Sequence, residues 1–237
     1  MRAVVFDFGQ TLVDSAGGFR AAEKQLQARL LAGLPGVDPE PFLEYYRQQR
    51  FEFQQRSDFS RKALCLAVLD HYGHPADPAV VEAWETDYWE SVRANTREFP
   101  EARGVLQTLK LSFRLGLVTN TQGQGREGTH RLGDFPELIA HFDAVVIAGE
   151  AGVPEKPALR PFRMCLERLG CLPEEGVYVG DDWRIDLCGA RGAGMHAVWL
   201  QHRSTRRNWP SVAGEFPVIG SLDELLQLPL LLEPEPS

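Results

Sequence analysis

The sequence predicts an α/β fold: a parallel sheet with helices on both faces, interrupted early by an all-helical insert. Three observations carry that expectation. Short, β-rich apolar runs recur along the chain without period-2 alternation, as strands covered on both faces should read. Helical patterns separate the later runs, which implies right-handed crossovers and a parallel sheet. Residues 16–96 carry helical segments and no evident strand.

In order, the first run is AVVFD, residues 3–7, which ends on a carboxylate, Asp7. The chain then leaves the sheet. Helices are expected around 18–33, 39–56, 58–73 and 78–93, with Gly and Pro marking turns at GLPG (33–36) and HPADP (74–78). It returns near FPEARG (99–104) and supplies RLGLVT (114–119), DAVVIA (143–148), GVYVGD (176–181) and HAVWL (196–200). Two crossover helices fall between these, PALRPFRMCLERLG (157–170), which ends on Gly, and RIDLCGARGAG (184–194). The expected division is a core domain of 1–15 and 97–232, a helical cap of 16–96 and a frayed tail of 233–237.

Composition narrows the function classes. A chain of 237 residues can bury a sizeable core and carry an insert. A net charge of −8 argues against nucleic acid or an anionic membrane as partner. No segment approaches the roughly 20 apolar residues of a membrane span. The N-terminal run is too short for a signal peptide and contains an acid. Cys65, Cys165, Cys171 and Cys188 lack metal-ligand spacing and read as reduced packing residues of a cytoplasmic protein.

In an open parallel sheet, ligands bind beyond the carboxyl ends of the strands. Those ends here carry Asp7, Thr119, Asn120, Glu150, Asp181 and Asp182. Carboxylates gathered so closely repel unless protons or a cation neutralise them, and hard oxygen ligands suit Mg²⁺. Lys156 lies between Pro154 and Pro157 in a chain whose other lysines are only Lys24, Lys62 and Lys110. It offers a compact cation for both a carboxylate and a phosphoryl oxygen. Pro157 is expected to open the next helix at its first position.

Four landmarks stand in order: VVFDFGQTL (4–12), GLVTN (116–120), GVPEKPAL (152–159) and VYVGDDWRIDLCGARGAGM (177–195). Together they resemble the haloacid dehalogenase (HAD) superfamily, in the subgroup whose helical cap follows the first strand of a Rossmann-like core. The resemblance implies a Mg²⁺-dependent phosphohydrolase acting on a small phosphorylated metabolite, with substrate identity set by the cap. Asp7 would attack phosphorus, form an aspartyl-phosphate and also bind Mg²⁺. Gly9 would touch the metal through its carbonyl, Asp181 would bind it directly or through water, and Asp186 would support it. Thr119 would hold a phosphoryl oxygen, with Asn120 and the Gln10 amide beside the substrate. Lys156 would hold the nucleophile and the transferring group.

One departure matters. Phosphatases of this family place a second Asp two residues after the nucleophile, where it protonates the leaving alcohol. Here that position is Gly9, and Gln10 stands where the family usually has Gly. What is lost is general acid–base catalysis, typically about 10²–10⁴-fold. Asp14 and His130 are candidate replacements, each with a structural role as the plainer reading. Two further readings follow from Gly9. One is a catalytically impaired protein that binds a phosphorylated ligand or a protein partner. The other is a non-phosphatase hydrolase: dehalogenase-like, which the acidic GDDWRID opposes, or phosphonatase-like, with Lys24 or Lys62 as Schiff base.

Other signals read as structure. Tyr45, Tyr46, Phe51, Phe53, Trp84 and Trp89 fall at helical spacing and suit a cap core. His71 and His74 end a helix, where the dipole favours them. The small residues of GARGAG (189–194) suit close helix–sheet packing.

Overall fold

The computed structural model describes residues 1–56, 58–74, 76–121, 131–204 and 216–232. These form two compact units. One comprises Met1–Asp14, Arg97–Asn120 and the described residues from Arg131 onward; the other is Ser15–Thr96 with Thr121. His130 and the tail 233–237 lie outside the described residues.

The first unit is built on a six-stranded sheet, entirely parallel, in which β1 is central. Its strands are β1 (Ala3–Phe6), β4 (Arg114–Asn120), β5 (Ala144–Ala148), β6 (Gly176–Gly180), β7 (His196–Leu200) and β8 (Val218–Ile219), in the order β5-β4-β1-β6-β7-β8. All four residues of β1 are fully buried, and they divide by parity. Val4 and Phe6 pack in one cluster with Leu115, Leu117, Val177 and Val179. Ala3 and Val5 pack in another with Val118, Phe162 and Leu166. Both faces are apolar, which is why the strands read as unbroken hydrophobic runs.

Register aligns the strand ends. Phe6 pairs with Leu117 on one side and Val179 on the other, so Asp7 emerges beside Val118–Thr119 and Gly180–Asp181. The Asp7 N–H still reaches the Val179 carbonyl at 2.9 Å. A two-stranded antiparallel pair, β2 (Val13–Asp14) and β3 (Arg97–Glu98), joins the point where the chain leaves this unit to the point where it returns. Asp14 sits in that pair opposite Arg97.

One expectation about the crossovers needs correction. After α5 (Ala102–Leu109) and the short α6 (Pro136–Ile139), helix α7 runs Leu159–Leu169 with Ala158 as its N-cap, so Pro157 precedes the helix rather than opening it. Pro161 occupies its third position, where the missing N–H has no intrahelical acceptor to lose. In GARGAG the alanines meet the sheet as expected, since Ala190 and Ala193 are buried with Tyr178, Ala197 and Trp199, while the glycines face another helix. A Cβ on Gly189 would come within 2.7 Å of the Phe162 ring, and one on Gly192 within 2.9 Å of Leu159. They let α8 (Cys188–Gly192) pack against α7. Ahead of α8, Trp183–Leu187 forms a single π-helical turn.

The second unit contains α1 (Ala16–Ala32), α2 (Pro39–Gln55), α3 (Arg61–His71) and α4 (Pro78–Ala94). Asp38, Ser60 and Asp77 cap α2, α3 and α4 by accepting backbone N–H bonds. Gly18 lets α1 approach α4 closely, since a Cβ there would lie 2.8 Å from the Val92 carbonyl. Tyr46, Phe53, Tyr88 and Trp89 join its core. Phe51, grouped with the core aromatics by spacing, is instead 59% exposed. Lys24 is exposed on α1, and Lys62 pairs with Glu82. Among the described residues, no helix is long and apolar enough to cross a membrane.

Candidate active site

The chain brings its strand-end acids together. Asp7, Asp181 and Asp186 are all buried, and each offers a carboxylate oxygen within 4.8 Å of the other two. Asp7 follows β1, Asp181 follows β6, and the π-helical turn carries Asp186 back beneath the end of β6. The fit there is tight. A Cβ on Gly180 would lie 2.6 Å from the Asp186 carboxylate, so only glycine admits that side chain.

Lys156 is bonded to two of these acids and is 1% exposed. Its ammonium donates to Asp7 Oδ1 at 2.7 Å, to Asp186 Oδ1 at 2.7 Å and to the Tyr178 hydroxyl at 2.9 Å. That accounts for all three of its N–H donors. Burial alone would lower the Lys156 pKa, but Asp186 and Asp7 outweigh it and raise it. The lysine is therefore a fixed cation. Asp186 behaves oppositely: burial, with Asp7 and Asp182 nearby, pushes its carboxyl up to about 6 against the pull of Lys156. Tyr178 is held neutral by burial and the adjacent acids, and its hydroxyl bonds the Val118 carbonyl at 2.9 Å.

The remaining expected residues divide by role. Thr119 is 5% exposed at the end of β4. The Asn120 side chain, expected beside the substrate, grips the Lys156 backbone from both sides. Its Oδ1 accepts from the Lys156 N–H at 2.7 Å and its Nδ2 donates to the Lys156 carbonyl at 3.3 Å. Its amide thus positions the lysine loop. Gln10 is half-buried and holds φ +63°, a conformation that favours glycine. Its N–H bonds the Val13 carbonyl at 2.8 Å, closing the turn after Asp7. Asp182 is set apart from its neighbour Asp181: its Oδ1 caps the π-helical turn, accepting from the N–H groups of Arg184 and Ile185 at 3.0 and 2.9 Å.

Several contributors escaped the sequence reading. Thr11 Oγ1 donates to Asp7 Oδ2 at 3.4 Å. Trp199 Nε1 donates to the Asp181 carbonyl at 3.0 Å. Tyr178 reads in sequence as one more apolar strand residue. Arg131 is 4% exposed, with its guanidinium over the Phe8 ring. One arginine in an arginine-rich chain gives no signal of its own.

These donors fit a small hard cation. The three carboxylates are all-oxygen ligands, and within the group they outnumber the one ammonium by two. A divalent ion of the Mg²⁺ class matches both the donor type and the charge.

Known proteins share this chain's sequence and fold. The chain is 32% identical to glyceraldehyde 3-phosphate phosphatase of Methanothermobacter thermautotrophicus, over 98% of this chain and all of that one. Its fold matches a HAD phosphatase structure from Thermococcus onnurineus with a TM-score of 0.66 at 24% identity, covering 96% of this chain and 97% of that one. It also matches a 2-haloacid dehalogenase structure from Pseudomonas syringae pv. tomato with a TM-score of 0.64 at 25% identity, over 96% and 97%. The family model described as haloacid dehalogenase-like hydrolase spans residues 1–194, and the chain belongs to that family.

Proposed function

We propose that this hydrolase is a Mg²⁺-dependent phosphatase of small phosphorylated metabolites, working through an aspartyl-phosphate on Asp7. The observation that carries the reading is the buried group of three carboxylates around one fully bonded lysine. The glyceraldehyde 3-phosphate phosphatase relative supports the substrate class: a short phosphorylated carbon skeleton.

Asp7 attacks phosphorus, splitting one difficult displacement into formation and hydrolysis of a covalent intermediate. Lys156 orients the Asp7 carboxylate through Oδ1 and keeps its own charge throughout. Thr119 holds a phosphoryl oxygen, Asn120 holds the Lys156 loop, and the Gln10 amide faces the substrate. Asp7, Asp181 and the Gly9 carbonyl would hold Mg²⁺, with Asp186 supporting them. When bound, the metal neutralises the charge gathering on the phosphoryl oxygens.

The test is Mg²⁺-dependent release of phosphate from 4-nitrophenyl phosphate and glyceraldehyde 3-phosphate. Release that disappears in Asp7→Asn, with the variant still folded, is the expected result. Wild-type protein that releases none from either compound overturns the reading.

A further inference from the structure

Gly9 removes a side chain from beside the nucleophile, and Arg131 fills the space. A Cβ on residue 9 would lie 3.3 Å from Arg131 Nη2. The guanidinium is buried, with its Cζ 5.7 Å from the centre of the Phe8 ring. Residues 8 and 9 directly follow Asp7, so this cation stands next to the turn that presents the nucleophile. Lys156 is committed to Asp7, Asp186 and Tyr178. Arg131 is thus a second buried cation at the turn, on a different set of neighbours.

An arginine cannot serve as the proton donor that the turn lacks, because its pKa stays far above neutrality. Its planar fork instead suits anionic oxygens. We propose that Arg131 stabilises the leaving oxygen as an anion, which makes the enzyme fastest on phosphoryl compounds with weakly basic leaving groups, such as acyl or aryl phosphates, and slower on alkyl esters such as glyceraldehyde 3-phosphate. This inference rests on the phosphatase reading above. In the first step an Asp7 oxygen bonds to phosphorus. The bond from phosphorus to the leaving oxygen breaks, its electron pair stays on that oxygen, and no proton moves. In the second step water attacks the phosphorus of the aspartyl-phosphate. Asp7 is released as a carboxylate, and both water protons remain on the orthophosphate.

The geometry also makes Gly9 and Arg131 a coupled pair. An Asp introduced at position 9 would sit against the guanidinium and be held ionised by it, so it would not act as an acid. It would also withdraw the cation from the leaving oxygen.

The experiment is a leaving-group series with Mg²⁺: aryl phosphates from 4-nitrophenyl to phenyl, and an alkyl phosphate. It uses wild type, Arg131→Gln, Arg131→Lys and Gly9→Asp, each checked for folding by thermal melting. Wild type should favour the most acidic phenols. Arg131→Gln should lose about 10²–10³-fold in kcat, the loss of a charge-stabilising donor, and lose most on the most basic leaving groups. Arg131→Lys should fall between. Gly9→Asp should slow the aryl esters without improving the alkyl ester. A loss in Arg131→Gln that is absent, or equal across the series, overturns the proposal. So does a Gly9→Asp variant that gains on the alkyl ester, a result that decides the matter even if Arg131→Gln does not fold. Wild type inactive on every ester overturns the phosphatase reading and this inference with it.

Discussion

Each unit of this protein buries a small ionic network, and the two networks are built on opposite principles. In the helical unit, Glu23 on α1 is 6% exposed. It accepts from the hydroxyls of Tyr46 and Tyr88 at 2.7 and 2.9 Å and pairs with Arg61 at 3.0 Å. Arg50 adds a longer contact at 3.6 Å. One carboxylate meets cations from α2 and α3 and hydroxyls from α2 and α4. Its charge is answered entirely from within. In the sheet unit, Lys156 pairs with Asp7 and Asp186, and Asp181 brings a third carboxylate within 4.8 Å of theirs, so the acids of this group outnumber its ammonium. A buried carboxylate met by cations of its own unit is a brace between helices; a group in which carboxylates outnumber the ammonium can take up a cation from outside.

The largest expected effects come from removing the central acid of each network. Asp7→Asn should reduce phosphate release by about 10⁴-fold or more, as loss of a nucleophile does. Its stability should hold, because the change relieves a surplus of negative charge. Glu23→Ala should do the reverse. It strands Arg61 in the interior, which costs about 3–5 kcal/mol, and urea unfolding at neutral pH should show a loss of that order. If Asp7→Asn proves the more destabilising of the two, the distinction between brace and site fails.

The same contrast has a pH signature. Burial would raise the Glu23 pKa, but Arg61, Tyr46 and Arg50 outweigh it, so the folded value is lowered. A depressed carboxylate contributes stability that is present above its unfolded pKa and is lost as pH falls through its folded value. Glu23 should therefore stabilise the protein at neutral pH and release that stability on acidification. Glu23→Gln should flatten the acid limb of the stability–pH curve. An acid limb of unchanged steepness in that variant would show that Glu23 is not its source.

Much of this was legible in the sequence, for a physical reason. Strands buried on both faces leave unbroken apolar runs, so β1, β4, β5, β6 and β7 stand out, and Asp7 and Asp181 are conspicuous as acids at their ends. The two-residue strands β2, β3 and β8 are too short to carry any periodicity. The π-helical turn is equally hidden, since it is a change of hydrogen-bond register rather than of composition. Lys156 could be singled out because lysine is rare here and prolines flank it. Tyr178 and Arg131 could not, since one reads as a strand residue and the other as one arginine among many. Asn120 was recognised as a site residue, but its engagement with the Lys156 backbone depends on a loop 36 residues away in sequence.

Surplus charge makes a further prediction of intermediate size. Mg²⁺ should stabilise the folded protein, by about 2.7 kcal/mol when present at a hundred times its dissociation constant. Thermal melting with and without the ion reads this directly. Asp181→Asn should abolish most of the shift and Glu23→Gln should leave it intact, since the helical network has no charge to offer a metal. Equal shifts in all three proteins would place the ion elsewhere.

The smallest effect tests the finest distinction, between Asp181 and Asp182. Adjacent in sequence, the two carboxylates look interchangeable as ligands. Backbone geometry separates them: Asp182 Oδ1 already accepts two N–H bonds at the start of the π-helical turn, while Asp181 contributes to the acidic group. Asp182→Ala should therefore behave as the loss of a cap, costing about 1 kcal/mol. It should still melt at a higher temperature when Mg²⁺ is added. The turn also carries Asp186 to the Asp182 N–H, which donates to Asp186 Oδ2 at 3.0 Å. This backbone bond survives the substitution, so Asp186 should keep its place. A variant that loses its Mg²⁺ response would make Asp182 a ligand in its own right and enlarge the charge surplus of the sheet unit. One that keeps it confines the surplus to Asp7, Asp181 and Asp186.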